Sequence, residues 1–209
     1  MKIHEIFYSI QGEGKCTGMP TIFIRTTGCN LRCSYCDTTY AYTQGMDMDI
    51  SEIVDYVNRF KCSTICLTGG EPLIQEEIFL LLDKLLEKNY FLSIETNGSI
   101  DIKKITKKKN LTISLDIKCP SSKMHEQMQY TNILHLENND QLKFIIKDNK
   151  DYEYAKKILK EYPSKSTIFF QPVWGTNIKD LVSWILNDHL NIRLGVQLHK
   201  IIWGDKKGV

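Results

Sequence analysis

The chain has 209 residues and a formal net charge of +2, with 42% hydrophobic and 25% charged residues. Such a chain is long enough to bury a substantial core within one domain. Its charge gives no reason to expect nucleic acid or an anionic membrane as a partner, and no apolar stretch reaches the length of a membrane span.

Glu5 and its polar neighbours interrupt any apolar run at the N-terminus. No secretory signal is expected there, and a cytoplasmic location follows by default. Seven cysteines, an odd number unevenly spaced, do not form a secreted disulfide framework. In a reducing compartment, clustered cysteines more often bind metal or do chemistry. The basic run Lys103-Lys104 with Lys107-Lys108-Lys109 reads as a solvated face.

Thr21 to Arg25 reads as a strand that empties into the cysteine loop. Ser51 is placed to cap a helix through Arg59, with Ile53, Val54 and Val57 on one face. Thr64 to Leu67 is a strand ending at Thr68-Gly69-Gly70-Glu71-Pro72, and Glu76 to Lys88 is strongly helical. Strand-like runs follow at Phe91 to Ile94, ending at Glu95-Thr96-Asn97-Gly98, and at Leu111 to Leu115, ending at Asp116-Ile117-Lys118. Leu142 to Ile146 and Ile168 to Phe170 are further strands, Tyr152 to Tyr162 and Ile178 to Leu186 are helices, and Arg193 to Leu198 is a last strand. Strands alternating with helices predict an α/β fold of parallel units. The length predicts a partial, open βα barrel too short for eight full units. Residues 1–209 are expected to form a single domain with a short N-terminal substrate-binding segment and a C-terminal tail.

Cys29, Cys33 and Cys36 set three thiols within eight residues. Thiolates suit a soft metal centre. Structural zinc sites and electron-carrying clusters normally take four protein ligands. A local set of three therefore implies an iron with an open coordination position, or a zinc knuckle completed by a distant residue such as Cys16, Cys62, Cys66, Cys119 or a histidine. Gly69-Gly70-Glu71-Pro72 after the next strand adds glycines that let backbone approach a ligand closely. Cys62 and Cys66 share a parity and are expected to pack as small apolar residues. Cys119 has no assigned role.

The Cys29, Cys33, Cys36 spacing, the aromatic Tyr35 and the Gly69-Gly70-Glu71-Pro72 segment resemble the radical S-adenosylmethionine (SAM) superfamily. The chain also resembles the 7-carboxy-7-deazaguanine synthases from end to end. That likeness runs from Glu5 to Gly14, through Arg25, Asp37-Thr38 and Glu95 to Gly98, to Gln197-Leu198-His199-Lys200.

The resemblance implies a 4Fe–4S cluster on Cys29, Cys33 and Cys36, SAM used as a cofactor, and Mg²⁺ on Thr38. It implies a lyase that contracts the ring of 6-carboxy-5,6,7,8-tetrahydropterin to 7-carboxy-7-deazaguanine, with loss of ammonia, on the route to queuosine and related 7-deazapurines. SAM contacts are implied at Tyr35, Cys36, Asp37, Gly70 and Glu71. Asp116, Lys118 and Gln171 complete that set, although the family often has Ser-Pro-Lys where this chain has Asp116-Ile117-Lys118. Substrate contacts are implied at Gln11, Gly12, Glu13, Arg25, Thr68 and His199, with Val209 reaching the substrate through the tail. No further catalytic side chain is implied, since the radical arises at cluster-bound SAM. The implied partners are the pterin, an electron donor such as flavodoxin or ferredoxin, and a second copy in a homodimer. The alternatives are an activase of glycyl-radical enzymes, which shares both core motifs, and a non-catalytic metal-binding module.

Overall fold

The computed structural model describes all 209 residues. Nine strands form one sheet. In chain order they are β1 (Lys2–Ile10), β2 (Pro20–Thr26), β3 (Met46–Asp47), β4 (Thr64–Gly69), β5 (Phe91–Thr96), β6 (Leu111–Lys118), β7 (Gln141–Ile146), β8 (Thr167–Pro172) and β9 (Arg193–Leu194). The spatial order is β3-β1-β2-β4-β5-β6-β7-β8-β9, with β3 and β9 at unjoined edges. From β2 to β9 every pairing is parallel; β1 runs antiparallel to both β2 and β3. This is the open α/β arrangement expected from the sequence.

The helices are α1 (Ile50–Val57), α2 (Glu77–Glu87), α3 (Asn149–Glu161), α4 (Ile178–Asn187) and α5 (Leu198–Trp203). The first begins at Ile50, one residue before Ser51, and ends at Val57, short of Arg59. Asp49 is its cap, with the Glu52 carboxylate accepting from the Asp49 N–H at 2.7 Å. No helix is long and apolar enough to cross a membrane.

Side chains alternate across a strand with a period of two, and that alternation divides the sheet. Ile22, Ile24, Ile65, Leu67, Leu92 and Ile94 are fully or almost fully buried on the helix-covered face. Ile113, Leu115, Ile117, Leu142, Phe144 and Ile146 continue the same face into one cluster of 35 buried residues. The intervening residues point to the opposite, concave face. There they are predominantly polar.

Three elements differ from expectation. The first strand, β1, carries the Glu5 to Ile10 segment. Arg193–Leu194 is only a two-residue strand, and Leu198 to Trp203 turns into α5 instead of extending it. Between β5 and β7 the connections hold short 3₁₀ turns rather than α-helices.

Candidate active site

The concave face holds a cavity of about 750 Å³ at the C-terminal ends of the parallel strands. Strand alternation supplies its wall: Arg25 from β2, Cys66 and Thr68 from β4, Glu95 from β5, Asp116 and Lys118 from β6, Lys143 from β7 and Gln171 from β8. Register sets Arg25 opposite Thr68 and Asp116 opposite Lys143.

The floor is ionic. Lys143, only 2% exposed, places Nζ 2.8 Å from Glu95, 3.0 Å from Glu13 and 3.1 Å from Asp116. Lys118 Nζ binds the other Asp116 oxygen at 3.0 Å. Burial is the largest influence and works to raise the Glu13 carboxyl, but the Lys143 ammonium and the Gln197 and Gln171 amides together outweigh it. Glu13 is thus held below the ordinary range. Asp116 is held low against burial by Lys118 and Lys143. For Glu95 burial prevails, and its carboxyl is raised. One carboxyl that takes a proton more readily therefore sits beside two that stay ionised.

The cysteine loop leaves β2 across the cavity. Gly28 N–H donates to Ala41 O at 2.9 Å, and Glu71 N–H donates to Gly28 O at 2.8 Å. Arg32 stacks on the Tyr42 ring at 4.3 Å and donates to the Cys29 and Leu31 carbonyls. Cys29, Cys33 and Cys36 all line the cavity. Burial raises the Cys29 and Cys33 thiols, so a bound metal is needed to hold them as thiolates at neutral pH. The Leu31 N–H and the Asn97 amide already point at Cys29 Sγ, at 3.4 and 3.7 Å. These donors suit a thiolate. No three His, Cys, Asp or Glu side chains converge on one point at single-ion spacing. A mononuclear zinc site needs such convergence. A cubane does not, because each thiolate binds a different iron. The donor set therefore fits a cluster better than a zinc knuckle.

The two motif glycines have a packing reason. A Cβ on Gly70 would lie 1.9 Å from Gly28 O, and one on Gly69 would lie 2.3 Å from Thr26 O, at a φ of +136°. What approaches these glycines is the backbone entering the cysteine loop. Glu71 lies beneath the cavity, outside its lining, and is fully buried. Its oxygens accept from Asn97 N at 2.6 Å, Thr96 Oγ1 at 2.9 Å and Leu73 N at 3.1 Å. It ties the ends of β4 and β5 together.

The other residues singled out in the sequence all line the cavity: Gln11, Gly12, Glu13, Tyr35, Asp37, Thr38, Gly70, His199 and Val209 join those already placed. Gly12 admits His199, since a Cβ there would stand 2.0 Å from His199 Nδ1. Burial lowers the His199 pKa, which keeps the imidazole neutral. Arg25 lies between the Phe7 and Tyr40 rings with Nε 2.7 Å from Glu5. Thr38 Oγ1 donates to Asp37 at 2.9 Å, and Lys200 Nζ binds the other Asp37 oxygen at 2.7 Å. Tyr35 OH, Asp116 Oδ1 and Gln171 Oε1 are buried without a hydrogen-bond partner. The Lys143 ammonium is near Asp116 Oδ1 but not aligned to donate to it.

Of the remaining cysteines, Cys66 lines the cavity as a neutral thiol, pushed by burial up to about 12. Cys119 is fully buried in the core. Cys62 donates to Pro20 O at 3.3 Å. Cys16 is half-buried outside the cavity lining. Sequence reasoning assigned no role to Glu95, Asn97, Lys143, Gln197 or Lys200. For Lys143 a signal existed: Gln141 and Lys143 share the parity of Ile145, opposite the apolar face made by Leu142, Phe144 and Ile146.

An open parallel sheet with a three-cysteine loop over its C-terminal edge defines a class. The Radical SAM superfamily matches residues 23–170, and the chain belongs to it. Over 204 residues, 97% of this chain and 85% of the relative, it is 43% identical to the 7-carboxy-7-deazaguanine synthase of Methanospirillum hungatei. It is 38% identical to the synthase of Thermoplasma acidophilum over the whole of both chains. The chain therefore belongs to the 7-carboxy-7-deazaguanine synthase family, and with that family it shares a 4Fe–4S cluster and SAM. QueE from Escherichia coli has the same fold, with a TM-score of 0.78 at 22% identity over 95% of this chain and 94% of that one. The fold extends to Streptococcus suis SuiB, with a TM-score of 0.60 at 14% identity over 82% of this chain and 47% of that one.

Proposed function

We propose that this chain is a lyase that converts 6-carboxy-5,6,7,8-tetrahydropterin to 7-carboxy-7-deazaguanine, releasing ammonia, in 7-deazapurine biosynthesis. The observation that carries the reading is the union, in one cavity, of the cysteine loop with Gln11, Glu13, Arg25 and His199.

Cys29, Cys33 and Cys36 would hold the cluster, which with SAM bound would supply the radical chemistry of the superfamily. Every other role belongs to the chain itself. Gln11, Gly12 and Glu13 meet the flat donor–acceptor edge of the pterin. Arg25 turns its free guanidinium nitrogens to the substrate carboxylate, its Nε being held by Glu5. Thr68 and neutral His199 line the substrate side, and Val209 brings the C-terminal tail into the cavity lining. Tyr35, Cys36, Asp37, Gly70 and Lys118 border SAM. Asp116 and Gln171 offer it buried oxygens without partners. Glu71 acts on this site from below, as a brace.

Thr38 donates its proton to Asp37, which leaves its oxygen lone pairs for Mg²⁺, a cation that takes hard oxygen ligands. The enzyme works in the cytoplasm as a homodimer, as one domain spanning 1–209, and draws electrons from a flavodoxin or ferredoxin.

Anaerobic reconstitution with iron, sulfide, SAM, dithionite, Mg²⁺ and the pterin tests the reading by mass spectrometry. Product in excess over SAM consumed, absent in Cys33→Ala, is the expected result. Cleavage of SAM to 5′-deoxyadenosine without that product would remove the pterin and favour an activase-like role.

A further inference from the structure

We propose that Lys143 is a positioning residue for both ligands, its ammonium fixing Glu13 on the substrate side and Asp116 on the cofactor side in one arrangement. The inference rests on the roles given to Glu13 and Asp116 above. Its physical basis is the floor of the cavity.

Three carboxylates from three separate segments meet one ammonium that is almost wholly shielded from water. Glu13 comes from the loop after β1, Glu95 from β5 and Asp116 from β6. Glu13 is held at both oxygens, Oε2 by Lys143 and Oε1 by Gln197 Nε2 at 2.9 Å. Its carboxylate plane is therefore set before any ligand arrives. Asp116 is held through Oδ2 by Lys118 and drawn by Lys143 at Oδ1, which keeps a lone pair for the cavity.

A buried ammonium among carboxylates is not an efficient source of stability, because desolvation offsets most of the attraction. Its effect here is on direction. Without the ammonium, Glu13, Glu95 and Asp116 repel one another across a water-poor floor and rotate apart or take up protons. A loop residue on one ligand and a strand residue on the other would then lose their common reference.

The test is Lys143→Met in the reconstituted holoenzyme, with the folded fraction checked by circular dichroism. KM for the pterin and the SAM dissociation constant, the latter from equilibrium titration without turnover, are each expected to rise roughly tenfold, as when one partner of a buried charge cluster is lost. A purely structural role would lower the active fraction and leave both constants alone. Both constants within about twofold of wild type would overturn the proposal. If Lys143→Met does not fold, Lys143→Gln, neutral but still a hydrogen-bond donor, is measured in the same way and decided by the same limits. If the wild-type enzyme makes no product from the pterin, the substrate reading fails. The SAM titration then decides the role of Lys143 by itself.

Discussion

Glu71 shows how a single side chain can be conspicuous in sequence and still act away from the ligand. It follows the two glycines of the loop and was expected on SAM, yet three donors from neighbouring backbone and side chain consume its oxygens. Glutamine in its place must turn an NH₂ toward one of those donors. Glu71→Gln is expected to lower unfolding free energy by about 1–3 kcal/mol in urea titration, as for an unpaired buried polar group. Burial raises the Glu71 carboxyl from 4.5 to about 7, against the donors that favour its ionised form. Its contribution is thus complete below the unfolded value and lost as pH rises through about 7. The cost of Glu71→Gln should therefore shrink between about pH 5 and pH 8; a cost that grew over that interval would contradict the raised carboxyl. The thiols stood out in the sequence by their spacing, whereas Arg25, Thr38 and His199 were singled out through the family resemblance. Lys200 was not legible, because the helix that turns it inward, α5, reads in the sequence as the end of a strand; Lys143 carried a signal in its strand parity that went unused.

At the scale of elements, the parallel strands were legible because each has an unbroken apolar parity on the helix side. The first strand was not. Its register shifts between Ile3 and Glu5, and such a bulge breaks the period-two pattern on which a strand is read. The last strand was overextended because Gly195-Val196-Gln197-Leu198 mimics alternation, whereas the Leu198 N–H donates to Gly12 O and starts α5. The packing of β4's end against the cysteine loop could not be foreseen from either segment alone, and it makes a prediction. Gly70→Ala must displace Gly28 or Cys29, since its Cβ would meet Gly28 O at 1.9 Å and Cys29 Cβ at 2.8 Å. Overpacking of that kind costs about 1–3 kcal/mol. The expected outcome is a folded protein that takes up less iron on reconstitution and shows weaker thiolate-to-iron absorption. Gly175→Ala, strained by about 1–2 kcal/mol at its φ of +86° but with nothing within 4 Å of its Cβ, bears that strain away from the cysteine loop and should reconstitute normally. Equal iron content in the two variants would show that the close approach does not govern the loop.

The whole molecule separates the structure that is stable from the structure that binds. Stability resides on the helix face of the sheet, and Ile185 is the last buried hydrophobic residue in the chain. The segment from Gln197 to Lys200 instead joins two loops that are distant in sequence. Gln197 donates to Glu13, Leu198 to Gly12 O, His199 packs on Gly12, and Lys200 binds Asp37 beside the cysteines. A chain ending at residue 196 should therefore keep its sheet, with a melting temperature within roughly 4 °C of the full chain, the shift expected for a loss near 1 kcal/mol. Its site should fail in two separable ways. Glu13 loses one of its two anchors, so KM for the pterin rises. Asp37 loses its ammonium, so its carboxyl, now held below the ordinary range with Lys200 opposing burial, moves up, and the Thr38 hydroxyl loses a fixed acceptor. Lys200→Met in the full chain isolates the second effect. It is expected to raise the Mg²⁺ concentration needed for half-maximal rate while leaving KM for the pterin near wild type. If the truncated chain unfolds, the tail belongs to the core after all. If it folds and turns over normally, the clamp between the two loops has no part in binding.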